Sequence, residues 1–223
     1  MGTMLLLLLA CGSERGVREA PTEVSYGGWI YDGPSAEGVF TGGDATFQFE
    51  DEAIAAEEPY EGYPGYWMPE DPLPPDAPFQ LTLSGAGSYT TAWAGDTPSA
   101  NGYWLPGYLF AMPPDYWEGL VEGLGLPTGQ RPDGVDEGGV HLWGLPLDED
   151  WQCEDLLVNG EAPRCYAISD DGVLSAVDEG PIDWFFAFDL EPGEVVLDDG
   201  LGGGETWTVD AGTIVMALWL AHG

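Results

Sequence analysis

The feature that most constrains the fold is the close spacing of turn-forming residues. The 223-residue chain contains 34 glycines and 19 prolines, which leave few uninterrupted stretches long enough for a helix. Between the turns lie short segments, such as 45–50 and 79–83, in which apolar and polar residues alternate. A period of two is typical of strands with one buried face. The sequence therefore predicts an all-β protein made of one or two antiparallel β-sandwich domains.

One segment departs from this pattern and predicts a short helix between the two halves. Pro114 begins it, and Tyr116, Leu120 and Leu124 follow at intervals of four, which places the three side chains on one helix face. Glycine, proline and aspartate then dominate up to residue 139. We therefore divide the chain into an N-terminal β domain at 24–112, a helix and linker at 113–139, and a second β domain at 140–223. The proline- and aromatic-rich stretch 57–78 is predicted to be a long loop.

The charge of the chain limits the partners that it can bind. Forty acidic residues stand against four arginines and no lysine, so the formal net charge is −36. A body of this charge repels the phosphates of nucleic acids, and nucleic-acid binding is therefore excluded. Solubility alone is a sufficient reason for such a charge. The alternative is a partner that is a cation, a basic protein or a neutral glycan.

The chain contains few side chains in patterns that are typical of catalytic sites. The chain has two histidines, His141 and His222, and no Gly-x-Ser-x-Gly motif that would place a nucleophile on a sharp turn. Carboxylates are so frequent that none stands out as an acid–base pair. The sequence therefore predicts a protein without a catalytic site or a bound cofactor, in which His141 is structural.

The N-terminus contains the pattern of an export signal. Residues 5–9 are all leucine, followed by Ala10, Cys11 and Gly12. The stretch from Leu8 to Cys11 resembles the lipobox of bacterial lipoproteins, in which the thiol receives a diacylglycerol. This resemblance implies that 1–10 is a signal peptide, that Cys11 is lipidated and that 11–23 is a flexible tether. It places the protein in the bacterial cell envelope, with the membrane as a partner through the lipid anchor, and Gly12 is compatible with the outer membrane or cell surface. The alternative is an ordinary hydrophobic N-terminus with a chance cysteine.

The two other cysteines form an even pair if Cys11 is acylated. Cys153 and Cys165 lie twelve positions apart, and in an exported protein such a pair predicts a disulfide. A zinc site is the alternative, but it requires further soft ligands, and the two histidines are the only ones in the chain.

The second half resembles the carboxypeptidase regulatory-like, or transthyretin-like, β-sandwich domains of bacterial lipoproteins. Residues 166–172 read Tyr-Ala-Ile-Ser-Asp-Asp-Gly, and residues 184–194 combine an aromatic strand with a Leu-x-Pro-Gly turn. Residues 209–213 are similar to the closing strand of that family. The resemblance implies an accessory or surface module that has no catalytic residues of its own.

Two sets of residues are candidates for binding. Aromatic side chains among glycine and proline could stack on a glycan, or could instead pack over the ends of the sandwich; these are Tyr63, Tyr66, Trp67 and Trp104. Acidic turns could hold calcium through oxygen ligands, or could simply be solvated; these are Asp170, Asp171, Asp198 and Asp199. The sequence thus predicts a non-enzymatic, surface-anchored lipoprotein with a structural or binding role and an envelope protein or glycan as partner. The alternative is a glycan- or calcium-binding accessory protein.

Overall fold

The described part of the chain is all-β with one short α-helix. The computed structural model describes residues 24–35, 37–58, 61–85, 87–98, 103–104, 109–127, 129, 131–146, 151–169, 171–198, 200 and 204–219. The strands in these residues are β1 Ser25–Tyr26, β2 Gly28–Asp32, β3 Gly43–Gln48, β4 Ala53–Glu57, β5 Tyr66–Pro69, β6 Pro78–Gly85, β7 Ser88–Asp96, β8 Tyr103–Trp104, β9 Leu109–Ala111, β10 Val140–Pro146, β11 Leu157–Val158, β12 Arg164–Ile168, β13 Leu174–Val177, β14 Trp184–Leu190, β15 Gly193–Asp198, β16 Gly204–Val209 and β17 Thr213–Trp219. The helix is α1, Pro114–Gly123.

Twelve of these strands form one large sheet. Their order is β13-β12-β14-β10-β17-β7-β6-β3-β4-β5-β2-β9. Most neighbours are antiparallel, but β17 runs parallel to both β10 and β7. Because β7 comes from the predicted first domain and β10 and β17 from the second, the sheet continues across the predicted linker at 113–139.

The far end of this sheet curls back on itself. The amide N–H of Tyr89, in β7, donates to the carbonyl oxygen of Met112, just after β9, at 2.8 Å. The indole N–H of Trp93 donates to the carbonyl oxygen of Phe110 in β9 at 3.0 Å. The strands of the first half therefore wrap around an apolar interior instead of lying in an open plane.

The large sheet is buried on both faces where the two halves meet. Along β17, Ile214 and Met216 pack into one core cluster, while Val215 and Ala217 pack into the other. Successive side chains of a strand point to opposite faces, so the apolar run 214–217 is explained by a strand with two covered faces.

A three-stranded sheet covers one of these faces. Its order is β11-β15-β16, and its fully buried Val195 and Trp207 pack in the same cluster as Phe185 and Val215 of the large sheet. Two sheets packed face to face across an apolar layer make a β-sandwich, which confirms the predicted fold class. The remaining two strands, β1 and β8, form a separate parallel pair.

A glutamine of the large sheet closes the outer edge of β16. Gln80 accepts the amide N–H of Thr208 at 2.8 Å and donates to the carbonyl oxygen of the same residue at 2.9 Å. One carboxamide thus satisfies both backbone groups, as the backbone of a further strand would.

The helix confirms the segment predicted at 114–124. Pro114 occupies its first turn, where the missing N–H costs nothing. Trp117 is the buried residue, at 3% exposure, with Leu120 and Leu124 partly buried beside it. Tyr116 lies at the border of this face and is 37% exposed. Among the described residues, no helix has the length and apolarity needed to cross a membrane.

The structure confirms one of two further predictions, the disulfide, and contradicts the other, the loop at 57–78. Cys153 and Cys165 form a disulfide with a Cα–Cα distance of 5.9 Å, which confirms the predicted pairing. The stretch 57–78, predicted as a loop, contains β5, which pairs with β4 and β2. The loop prediction was wrong there because the hydrogen bonds of its neighbours favour a strand in spite of the surrounding prolines.

Candidate functional site

The candidate site is an aromatic surface where β2 meets β5. Trp29 lies directly opposite Tyr66 in the antiparallel register, and cross-strand partners place their side chains on the same face. The two rings meet edge to face, with centroids 4.9 Å apart. Trp29 is 44% exposed, while its neighbour Ile30 is fully buried, so the strand directs the indole outwards.

A third exposed aromatic residue lies three positions before Tyr66 in the chain. Tyr63 lies in the turn that leads into β5 and is 61% exposed. The carbonyl oxygen of Tyr63 accepts the amide N–H of Tyr66 at 3.1 Å, which fixes the turn relative to the strand. We refer to Trp29, Tyr63 and Tyr66 as the aromatic platform.

The turn beneath the platform is held by one carboxylate and one glycine. The two carboxylate oxygens of Glu58 accept the amide N–H groups of Gly65 and of Gly42. Gly65 has a φ of 75°, and a Cβ atom at this position would overlap the side chain of Val39. Only glycine satisfies both constraints, so the platform rests on a preformed turn.

One of the predicted stacking residues is buried, and the side chain of another lies outside the described residues. Trp67 is 2% exposed, its indole N–H donates to the carbonyl oxygen of Phe40 at 2.9 Å, and its ring stacks on that of Phe40. The prediction that Trp67 stacks on a ligand was wrong, because adjacent residues of a strand point to opposite faces and Tyr66 takes the outer one. Only the backbone of Trp104 is described, paired with Tyr26; its side chain lies outside the described residues.

Trp29 is the platform residue that sequence reasoning missed. The available signal was the run Trp29, Ile30, Tyr31, in which an aliphatic residue lies between two aromatic ones. With Ile30 assigned to the core, the period of two would have placed Trp29 on the outer face.

The two predicted calcium ligands that the structure describes, Asp171 and Asp198, lie at different places in the fold. Asp171 lies between β12 and β13 of the large sheet, and Asp198 ends β15 of the small sheet, where its carboxylate accepts the N–H of Gly200 at 2.9 Å. Asp170 and Asp199 lie outside the described residues, as does Cys11. The described part of the chain brings together no group of three or more histidine, cysteine, aspartate or glutamate side chains suited to a metal.

A second concave surface lies between the small sheet and the uncovered face of β3 and β6. This groove has a volume of about 1190 Å³ and is lined by apolar residues such as Phe49 and Phe79, by threonine and glutamine side chains, and by Asp96 and Glu205. Burial, reinforced by the negative charge of Asp96, raises the pKa of Glu205 to about 8. One oxygen of the Glu205 carboxyl group is buried without a hydrogen-bond partner among the described residues, so this carboxyl group is largely protonated at neutral pH.

Comparisons with known proteins reveal only remote likenesses. No protein-family model matches the chain, and no curated protein matches it. Among solved structures, the Bacillus anthracis TIE protein is 10% identical with a TM-score of 0.28; the alignment covers 89% of this chain and 34% of that protein. The family 26 carbohydrate-binding module CBMbc of Eubacterium rectale Amy13K, solved with maltoheptaose, is 12% identical with a TM-score of 0.25, over 88% of this chain and 92% of the module. This chain thus spans about a third of the length of the first of these proteins. With TM-scores this low, neither likeness carries an argument about function.

Proposed function

We propose that the chain is a non-enzymatic binding protein, held at the bacterial cell envelope by a lipid on Cys11, and that its aromatic platform binds a glycan. The observation that carries the proposal is the outward pairing of Trp29 with Tyr66, beside the exposed Tyr63. The apolar faces of sugar rings stack on such rings.

The chemistry of the rest of the molecule is compatible with a neutral glycan. A neutral ligand is not repelled by a body with a net charge of −36. The platform also costs little to organise on binding, because its three residues are held by a strand pair and a fixed turn. An exposed aromatic surface can serve an envelope protein partner as well, so the test must separate the two.

The glycan proposal is tested by removing one ring at a time. The purified protein is screened against a glycan array, and the strongest ligand is titrated by calorimetry into wild type, Trp29→Ala and Tyr63→Ala. We expect affinity to fall about tenfold or more in Trp29→Ala, as for an aromatic hot spot, and less in Tyr63→Ala. Tyr116→Ala, which removes a partly exposed ring on the helix, is the control and should bind as wild type does.

Two results would contradict the proposal. One is an array without a ligand, which would leave a protein partner as the occupant of the platform. The other is a ligand whose affinity is the same in wild type, Trp29→Ala and Tyr63→Ala. Near-ultraviolet circular dichroism of each variant establishes that the fold is retained.

The lipid anchor is tested independently of the platform. Expressed in a bacterium with its own leader, the wild-type chain should fractionate with membranes, and Cys11→Ser should be released from them. A Cys11→Ser protein that stays in the membrane fraction would show that the anchor is wrong, without bearing on glycan binding.

A further inference from the structure

We propose that a cavity between Arg131 and Arg164 is a second binding site, which takes a sugar acid through its carboxylate. The chain has four arginines and no lysine. The structure describes two of these arginines, and both line the same cavity of about 540 Å³. The protein has 40 acidic residues, so two arginines at one cavity do not serve its solubility. We infer that they serve to bind a ligand.

Arg164 is positioned by the large sheet. It begins β12 and lies opposite Phe186 of β14 in the register. Strand β14 continues past this point to Leu190, beyond the first residue of β12, so that Ala187 and Leu190 line the cavity beside the guanidinium. This wall of the cavity is therefore built on regular sheet structure.

The segment that carries Arg131 is held in place by a buried histidine of β10, His141. His141 is fully buried, its Nδ1 accepts the amide N–H of Asp189 at 3.2 Å, and its Nε2 lies 3.0 Å from the carbonyl oxygen of Asp133. These partners require the neutral ring with its proton on Nε2. The Asp189 carboxylate in turn accepts the amide N–H of Asp133 at 2.7 Å.

These hydrogen bonds hold the backbone of Asp133, two residues from Arg131, against β14. Two hydrogen bonds join Asp133 to His141 and Asp189, and the ring of Trp117 stacks on the imidazole with centroids 5.7 Å apart. Burial lowers the pKa of His141, so the fastening is retained at neutral pH. The two arginines thus stand on walls that are fixed relative to each other.

The charge balance of the cavity selects the ligand. Guanidinium groups bind carboxylates in a bidentate manner. The cavity is also lined by three carboxylates, those of Glu161, Asp189 and Glu191, and that of Asp189 already accepts the amide N–H of Asp133. The three carboxylates outnumber the two guanidinium groups and repel a multiply charged anion, while Glu161 and Glu191 accept hydrogen bonds from hydroxyl groups. A monoanion that carries hydroxyls satisfies both kinds of group, and a hexuronate is a sugar with that chemistry and a size that suits a cavity of about 540 Å³. This site is independent of the aromatic platform.

The small number of arginines makes the test direct. In a protein labelled with nitrogen-15, the arginine Nε–Hε region contains at most four signals, one per arginine of the chain. Arg131→Lys and Arg164→Lys each remove one signal and thereby assign it. We expect D-glucuronate to shift these two signals and D-glucose, which lacks the carboxylate, to shift neither.

Substitutions then measure the contribution of each arginine. Arg131→Gln and Arg164→Gln should each weaken glucuronate binding about tenfold or more, and the lysine variants should lose part of that affinity because the planar fork is absent. Arg18→Gln, which changes the net charge equally and lies in the predicted tether 11–23, should bind as wild type does. The proposal is wrong if glucuronate leaves the two signals unmoved, if glucose shifts them equally, or if Arg18→Gln weakens binding as much as the cavity variants do.

Discussion

At the scale of single residues, Glu205 shows how a buried ionisable group couples stability to pH. Burial and the nearby Asp96 raise its pKa from 4.5 to about 8. A group whose pKa is raised on folding contributes stability below its unfolded pKa and loses it as pH rises through the folded value. The affected window therefore runs from about pH 4.5 to about pH 8, within which the unfolded chain releases a proton that the folded chain retains.

The prediction is that Glu205→Gln stabilises the protein at pH 8 and has little effect at pH 4. Each pKa unit corresponds to about 1.4 kcal/mol, so the gain at pH 8 should be on the order of a few kcal/mol. Urea unfolding of wild type and variant at both pH values measures it. Glu194→Gln removes an exposed carboxylate of the adjacent strand and controls for the change in net charge. Equal gains in the two variants at pH 8 would contradict the role assigned to burial.

The sequence contained information on the orientation of some site residues but not on the proximity of others. The alternation in β2 contained the information that Trp29 faces outwards, and the alternation in β5 contained the information that Trp67 faces inwards. Both depended on recognising the strand and its buried face. The meeting of Arg131 and Arg164 had no such signal, because the two lie 33 positions apart and are brought together by β14 and the buried His141.

At the scale of elements, strands with strong local patterns were predictable and those formed by their neighbours were not. The alternating segment 79–83 lies within β6, whose inner residues alternate between buried and half-buried. Strand β4, Ala-Ile-Ala-Ala-Glu, was not predicted, because alanine and glutamate have low strand propensity. It forms because β3 and β5 pair with it on its two sides.

The edge of β16 gives a prediction for Gln80. In Gln80→Ala, the N–H and C=O groups of Thr208 lose both partners, and we expect a loss of about 1–3 kcal/mol in the free energy of unfolding. The specific measurement is amide hydrogen exchange, in which Thr208 should lose protection while Trp207, which lies opposite Val195 in the ladder, keeps it. If Thr208 stays protected in the variant, the carboxamide does not close this edge.

The disulfide gives a second prediction at this scale. It joins the short helical turn at Cys153–Asp155 to β12 across a separation of 12 residues. Replacing both cysteines by alanine should cost about 2–4 kcal/mol of stability, chiefly by releasing a constraint on the unfolded chain. Denaturant unfolding of the double variant and of the oxidised wild type measures this cost. A difference much below this range would mean that the packing of the 153–165 segment, and not the bridge, holds it against Phe185 and Val195.

At the scale of the whole molecule, the net charge of −36 opposes folding through self-repulsion. The fold is nevertheless stabilised by two apolar clusters on the two faces of one sheet. Raising the salt concentration shortens the range of the repulsion, from about 10 Å at 0.1 M to about 3 Å at 1 M ionic strength. We therefore expect the melting temperature to rise with sodium chloride at pH 7, and to rise less at pH 4, where many carboxylates are protonated.

The same experiment separates screening from a specific cation. At equal ionic strength, sodium chloride and magnesium chloride act through general electrostatics, whereas calcium chloride also reports a site with the flexible oxygen coordination that calcium prefers. If the acidic turns at Asp171 and Asp198 bind calcium, the melting temperature should rise further in calcium than in magnesium, because a ligand that binds only the folded state adds stability by mass action. Asp171→Asn and Asp198→Asn should remove that extra rise and leave the sodium effect intact. Superimposable melting curves in calcium and magnesium would show that these aspartates contribute charge alone.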